Sequence, residues 1–330
     1  MCTSITLETK GNNFLARTMD FGFELDARIV YAPRNYQWYS DVANDATHTS
    51  KYGFVGAGKK IGHNYFFADG INEHGLAIAE LYYPNEAKYH DTVVEGKVNV
   101  APHELIMWIL GNLKDINELE KRIDDIRLVS STIEFLGGTP PLHYIVYDRS
   151  GRTVTLESES GELLIKNNEV GVMTNSPDLN WHIQNLNNYI YLQNTPRSNK
   201  MFKDTEAHAF GQGSGTQGLP GGYTPPERFV RALFLKESLP EITSAKQGVN
   251  SIYHVLGNLD IPKGAVIKAD GALDYTQYIS VMSVNETAYY IRTYDNPEIK
   301  RLSITKDMLE TIHEVKEYPL TKEIEFYELG

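Results

Sequence analysis

Cys2 is the only cysteine among 330 residues, so the chain can form neither an intramolecular disulfide nor a multi-cysteine zinc site. The ten histidines show no HExxH or comparable ligand spacing, and no metal is expected. Uninterrupted apolar runs of about 18 residues are missing, which argues against a transmembrane helix. Basic residues are outnumbered, 31 against 43 acidic, giving a net charge of −12 with no basic block. Nucleic-acid binding draws on clustered cations, so no nucleic-acid partner is expected, nor a membrane. Residues 1–20 lack a basic and then apolar leader, because Thr3, Ser4, Thr6, Glu8 and Lys10 interrupt every run. A cytoplasmic protein is the expectation. The Gly-rich stretch FGQGSGTQGLPGGYTPPERF (Phe210 to Phe229) has no Gly-Lys-Ser/Thr and no preceding strand. It reads as a long structured loop, not a phosphate cradle, and no cofactor is expected.

What remains is an ordinary globular composition, 41% hydrophobic and 22% charged. Alternating residues from Cys2 to Glu8, a turn at Lys10-Gly11-Asn12-Asn13 and a second run to Phe21 predict a hairpin. Further strands are predicted at 54–57, 65–68, 76–83, 143–148 and 153–157, with a late hairpin of 278–284 and 288–294. Helices announce themselves by caps. Pro102 precedes the stripe Leu105, Trp108, Ile109 and Leu113; Asp115 with Glu118, Thr224-Pro225 with Glu227, and Ser244 with Gln247 mark three more starts. Strands in blocks with helices between them favour an α+β class of antiparallel sheets covered by helices. No linker or repeat divides the chain, so 1–330 reads as one domain.

The lone thiol has three readings: accident, lipid attachment, or a nucleophile exposed by removal of Met1. Lipid attachment needs an apolar run ahead of the cysteine, and only Met1 precedes it. A hairpin turning at Gly11-Asn12 sets Cys2 opposite Phe21, with Arg17, Met19 and Phe21 on its face. Asp20 then points to the other face, beside the chain terminus. A one-residue slip would swap these faces. The chemistry available there is specific. Arg17 favours the thiolate of a group whose ordinary pKa is about 8.5. A free α-amine, with a pKa of about 7.7–8.0, can act as a base. Asp20 can orient that amine, so loss of Met1 supplies nucleophile and base in one residue. Taken alone, Asn175 is a turn residue before Pro177, and Arg17 with Asp20 a surface pair.

Together these residues lie within a series of motifs: MCTSITLET, LARTMDF, YAPRNY, FADGINEHGLAIAELYYP, PHELIMWIL, PLHYIVYDRSG, GVMTNSPDLNWHIQNLNNY, GLPGGYTPPERFVRA, IPKGAV and YTQYISVM. In this order, over essentially the whole length, they resemble the choloylglycine hydrolase family of N-terminal-nucleophile (Ntn) hydrolases. That family includes penicillin V acylases and conjugated bile salt hydrolases. The resemblance implies a four-layer αββα sandwich of two antiparallel sheets between helices, assembled as a homotetramer through a loop at residues 190–222. It implies Cys2 as nucleophile after loss of Met1, Arg17 and Asp20 as the residues that position and activate it, and Arg228 as the site's second arginine. Asn175 and the backbone N–H of Tyr82 are implied as oxyanion donors. The partner implied is a small N-acyl amide.

Met19, Phe21 and the Tyr82 ring are expected to bind the acyl group. Tyr at position 82 is common among penicillin V acylases, whereas bile salt hydrolases commonly carry Asn. The first expectation is therefore a penicillin V acylase cleaving phenoxymethylpenicillin to 6-aminopenicillanic acid and phenoxyacetate. The alternatives are a conjugated bile salt hydrolase, an acyl-homoserine lactone or other N-acyl amide acylase, and, outside catalysis, an inactive ligand-binding or scaffold relative.

Overall fold

Apolar side chains on both faces of the first two strands bury them on both sides, which makes this hairpin the centre of one sheet. The computed structural model describes residues 1–43, 46–159, 161–326 and 328–329. In chain order its principal strands begin with β1 (Cys2–Glu8), β2 (Asn13–Phe21), β3 (Arg28–Ala32), β4 (Phe54–Ile61), β5 (Asn64–Asn72), β6 (Ala77–Tyr82) and β7 (Leu142–Tyr147). They continue with β8 (Thr153–Ser158), β9 (Leu163–Asn167), β10 (Val172–Met173), β11 (Tyr275–Ser283), β12 (Ala288–Thr293), β13 (Lys300–Ser303) and β14 (Lys316–Tyr318). One sheet runs β10-β1-β2-β11-β12-β13 and the other β9-β8-β7-β6-β5-β4-β3-β14. Every neighbouring pair in both is antiparallel.

Helices α1 (Leu105–Asn112) and α2 (Ile116–Arg122) cover the larger sheet, where Leu105, Ile106 and Ile109 meet Val30, Phe54 and Ile78. α3 (Leu179–Asn185) follows β10, and α4 (Pro225–Glu237) and α5 (Ala245–Gly257) cover the smaller sheet through Phe229, Val249 and Ile252 against Ile5, Phe14 and Val281. A short α6 (Lys306–Thr311) comes late in the chain. Between the sheets lie Leu15, Ala77, Ala79, Ile145 and Met282. The expected four layers are therefore present.

The predicted caps form. Asp115 Oδ1 accepts from Glu118 N, Ser244 Oγ from Gln247 N, and the Glu227 carboxylate from the Thr224 amide and hydroxyl. The first hairpin departs from expectation in register. Cys2 stands opposite Met19 instead of Phe21, and Glu8 pairs with Asn13, leaving a four-residue turn of 9–12 closed by Thr9 N donating to Asn12 O. The offset is two positions, so every side chain keeps its expected face. Among the described residues no helix is long and apolar enough to cross a membrane.

Candidate active site

Alternation along β1 and β2 turns Cys2, Arg17 and Met19 inward, between the sheets, and Thr3, Thr18 and Asp20 toward the helices. Cys2 is 3% exposed, and its Sγ lies 2.8 Å from Arg17 Nη2. Arg17 is fully buried. A guanidinium without water needs a counter-charge, and Asp69 on β5 supplies it at 3.3 Å. Asp69 is itself held by the hydroxyls of Tyr278 (3.0 Å), Ser280 (3.1 Å) and Tyr289 (2.5 Å). Its ladder neighbours Ala57 and Ala79 are small enough to leave room for the arginine. Burial opposes the Arg17 charge, but Cys2, Tyr278 and Asp69 outweigh it and drive the guanidinium pKa upward. Arg17 is a permanent cation against the sulfur.

Asp20 occupies the opposite face, where its carboxylate accepts from Thr276 Oγ1 at 2.6 Å and Thr18 Oγ1 at 3.1 Å. Burial raises its pKa, while the chain's terminal amine, Arg228 and both hydroxyls pull it down. The Met1 amine donates to the Asp20 carbonyl at 2.7 Å and lies 3.7 Å from the Asp274 carboxylate. Cys2 N donates to Asn175 Oδ1 at 3.1 Å.

Asn175 sits just beyond β10, which pairs with β1 beside the nucleophile. Two histidines fix its backbone: His143 Nε2 lies 2.9 Å from the Thr174 carbonyl, and His182 Nε2 2.9 Å from that of Asn175. Arg228, from the first turns of α4, reaches the Cys2 carbonyl, Thr3 Oγ1 and Asn175 Oδ1. Asn175 Nδ2 donates to the Tyr82 carbonyl at 2.7 Å. Tyr82 and Leu142 face each other as a non-hydrogen-bonded pair, since Tyr83 N donates to Pro141 O. The amide and carbonyl of Tyr82 therefore turn together to the free edge of β6, beyond its last pairing with β5 at Ala79. The structure thus brings Cys2, Arg17, Asp20, Tyr82, Asn175 and Arg228 into one constellation.

An apolar cavity of about 500 Å³ opens beside it, with Met19, Phe21, Tyr82 and Tyr278 on its wall. Phe21 meets Tyr82 edge to face at 5.9 Å and Phe23 at 4.7 Å. All three expected acyl-binding residues line it. Sequence reasoning assigned no role to Asp69, Tyr278, Ser280, Tyr289 or Glu80. The available signal was a charged residue in an otherwise apolar strand, in FADG and in AIAELYY.

The family model for linear amide C–N hydrolases of the choloylglycine hydrolase family matches residues 2–317. The bile salt hydrolase/transferase of Clostridium perfringens is 32% identical over 325 residues, 98% of either chain. That of Lactiplantibacillus plantarum is 32% identical over 327 residues, 99% of either chain. Among solved structures, a mutant conjugated bile acid hydrolase from Clostridium perfringens superposes with a TM-score of 0.91 at 30% identity, covering 100% of both chains. Penicillin V acylase from Agrobacterium tumefaciens gives 0.76 at 22% identity, over 97% of this chain and 91% of its own, and shares the fold. The chain belongs to the choloylglycine hydrolase family of linear amide C–N hydrolases.

Proposed function

We propose that this amide hydrolase uses Cys2 as an N-terminal nucleophile after removal of Met1, and that it cleaves small N-acyl amides seated in the apolar cavity. The observation that carries the reading is the double hold on Cys2: sulfur at 2.8 Å from Arg17 Nη2 and backbone nitrogen at 3.1 Å from Asn175 Oδ1. In this reading the Arg17 guanidinium steadies the negative charge that develops on the sulfur as the freed amine, close to Asp20, takes the thiol proton. Sγ bonds to the acyl carbon. The oxyanion accepts from Asn175 Nδ2 and the Tyr82 amide. The proton passes to the leaving nitrogen, the C–N bond breaks, and an acyl thioester remains. Water then adds to that carbonyl, gives a proton to the amine, and breaks the C–S bond to release the acid. Arg228 holds Cys2 and Asn175 in register.

Conjugated bile acids come first as substrates, supported by the two full-length relatives and the largely apolar cavity. This reverses the expected order, in which Tyr82 favoured phenoxymethylpenicillin. That second reading rests on the Phe21–Tyr82 edge, which suits a flat phenoxyacetyl ring. Parallel hydrolysis of glycocholate, penicillin V and a long-chain acyl-homoserine lactone ranks them; a preference for penicillin V would restore the original order. Intact mass tests the nucleophile: fully active enzyme retaining Met1 would sink the self-base mechanism. Cys2→Ser should be far slower yet keep its melting temperature, because the position is chemical.

We also propose a homotetramer assembled through the 190–222 segment. Its support is exposed apolar side chains, with Ile190 85% and Phe210 98% accessible.

A further inference from the structure

Alternation along β6 sends Ile78, Glu80 and Tyr82 to the face covered by α1. Ile78 and Tyr82 belong to the apolar cluster there, yet a carboxyl stands between them. Glu80 lines the same cavity as Met19, Phe21 and Tyr82. Its Oε2 is sealed from the surface and has no hydrogen-bond partner among the described residues. Buried polar atoms of this kind are rare, because an unpaired one forfeits the hydrogen bonds it makes to water in the unfolded chain.

Most of the neighbouring polar groups are already committed. Tyr144, opposite Glu80 in the ladder, donates its hydroxyl to the Pro102 carbonyl at 2.7 Å. The Tyr89 hydroxyl donates to the Pro140 carbonyl and accepts from the Leu142 amide. His103, another ionisable group on the wall, is engaged by Asp41 at 2.8 Å. Arg17 spends its terminal nitrogens on Cys2, Met19, Asp69, Tyr278 and the Ala68 carbonyl; its Nε is buried and, like Glu80 Oε2, has no hydrogen-bond partner among the described residues. Among the described residues no hydrogen bond engages Oε1 either, and Glu80, which is only partly buried, presents its accessible surface to the cavity.

We propose that Glu80 is a specificity-determining residue whose carboxyl reads an ether or hydroxyl oxygen carried by the acyl part of the substrate. The inference rests on the reading above in one respect, that the cavity holds the acyl group. Burial pushes the Glu80 carboxyl up to about 8 against the pull of Arg17, with Asp69 adding to the push. At neutral pH the group is then a neutral acid, with one hydrogen to donate and a carbonyl oxygen to accept. A phenoxy ether can take the hydrogen, and a steroid hydroxyl can both give and take. A hydrocarbon acyl group would strand the carboxyl, so discrimination works against the deoxygenated analogue.

Two matched pairs of N-acyl glycines test this: phenoxyacetyl against 3-phenylpropanoyl, which replaces the ether oxygen by methylene, and cholyl against lithocholyl, which removes two hydroxyls. The wild-type protein should prefer the oxygenated member of at least one pair by about tenfold or more in kcat/KM, the size of one hydrogen bond. Glu80→Leu should collapse that ratio toward one, while Glu80→Gln, which keeps a donor and an acceptor, should retain most of it. The pair that responds identifies the source of the oxygen. Calorimetric binding of all four compounds to Cys2→Ala protein reads the same contact without turnover. Discrimination in binding with no hydrolysis by wild type would refute the amidase reading and leave Glu80 standing. Equal loss of both members of each pair in Glu80→Leu, or unchanged ratios in hydrolysis and binding, would overturn the proposal.

Discussion

Arg17 carries a full charge where no water reaches it, and it does so because Asp69 faces it at 3.3 Å. Removing one partner of a buried pair leaves the other uncompensated, at a cost of about 3–5 kcal/mol. Asp69→Asn should show that loss in urea unfolding. It should also slow alkylation of Cys2 by iodoacetamide near neutral pH, because the loosened Arg17 no longer faces the sulfur. A fall in stability with unchanged alkylation would confine Asp69 to a structural role. Asn175→Ala removes a proposed oxyanion donor and should lower kcat by about 10²–10³, with folding retained. Glu80 has a thermodynamic signature as well. Its folded value of about 8 lies above the ordinary 4.5, so the folded state holds the proton more tightly across that interval. Stability from this group is present below about pH 4.5 and declines as pH rises toward 8. Glu80→Gln should therefore flatten the decline in melting temperature between pH 5 and 8, and melt higher than wild type above pH 8.

At the scale of elements, the local signals were legible and the long-range ones were not. Asp115, Thr224 and Ser244 mark helix starts because capping is settled within four residues. The faces of Cys2, Arg17 and Asp20 follow from strand alternation, and a two-position offset leaves them intact. That offset was not legible, because turn residues at Lys10 to Asn13 permit more than one loop length. Asp69 and Glu80 were invisible for a different reason. A carboxylate in a strand has the same sequence signature whether it meets solvent, an arginine or a cavity. Only β5 and β6 stacked against β2 and β11 distinguish these cases. The close approach of β4 to β5 carries its own requirement. A Cβ at Gly56 would lie 2.0 Å from the Asp69 carbonyl. Gly56→Ala should displace Asp69 and lower both stability and Cys2 alkylation, as thermal melts and labelling rates would record.

At the scale of the molecule, α1 and α2 cover one outer face and α3, α4 and α5 the other, and the site lies at the edge of the two-sheet core. The segment 190–222 packs differently. Its short hairpin of 200–202 and 205–207 is exposed throughout, with Phe202 59% accessible. The same segment is anchored at its end, where Arg231 Nη1 donates to the carbonyls of Pro220 and Gly222 at 2.7 and 2.8 Å. Sedimentation velocity should therefore find a homotetramer, and Phe202→Ser with Phe210→Ser should shift it to smaller species without altering the circular dichroism of the core. A wild-type monomer at micromolar concentration would refute the assembly.

The four-residue turn at 9–12 has a practical consequence. Six residue steps along β1, about 20 Å at strand rise, separate its near end at Glu8 from the sulfur of Cys2. Extra chain inserted between Gly11 and Asn12 adds only loop-closure entropy, about 0.6 kcal/mol per doubling of length, and leaves the strand pairing untouched. A fluorophore or affinity peptide grafted there would report on the protein while leaving its amino terminus unencumbered. A fusion at the amino terminus, by contrast, would occupy the one position the proposed chemistry requires to be free.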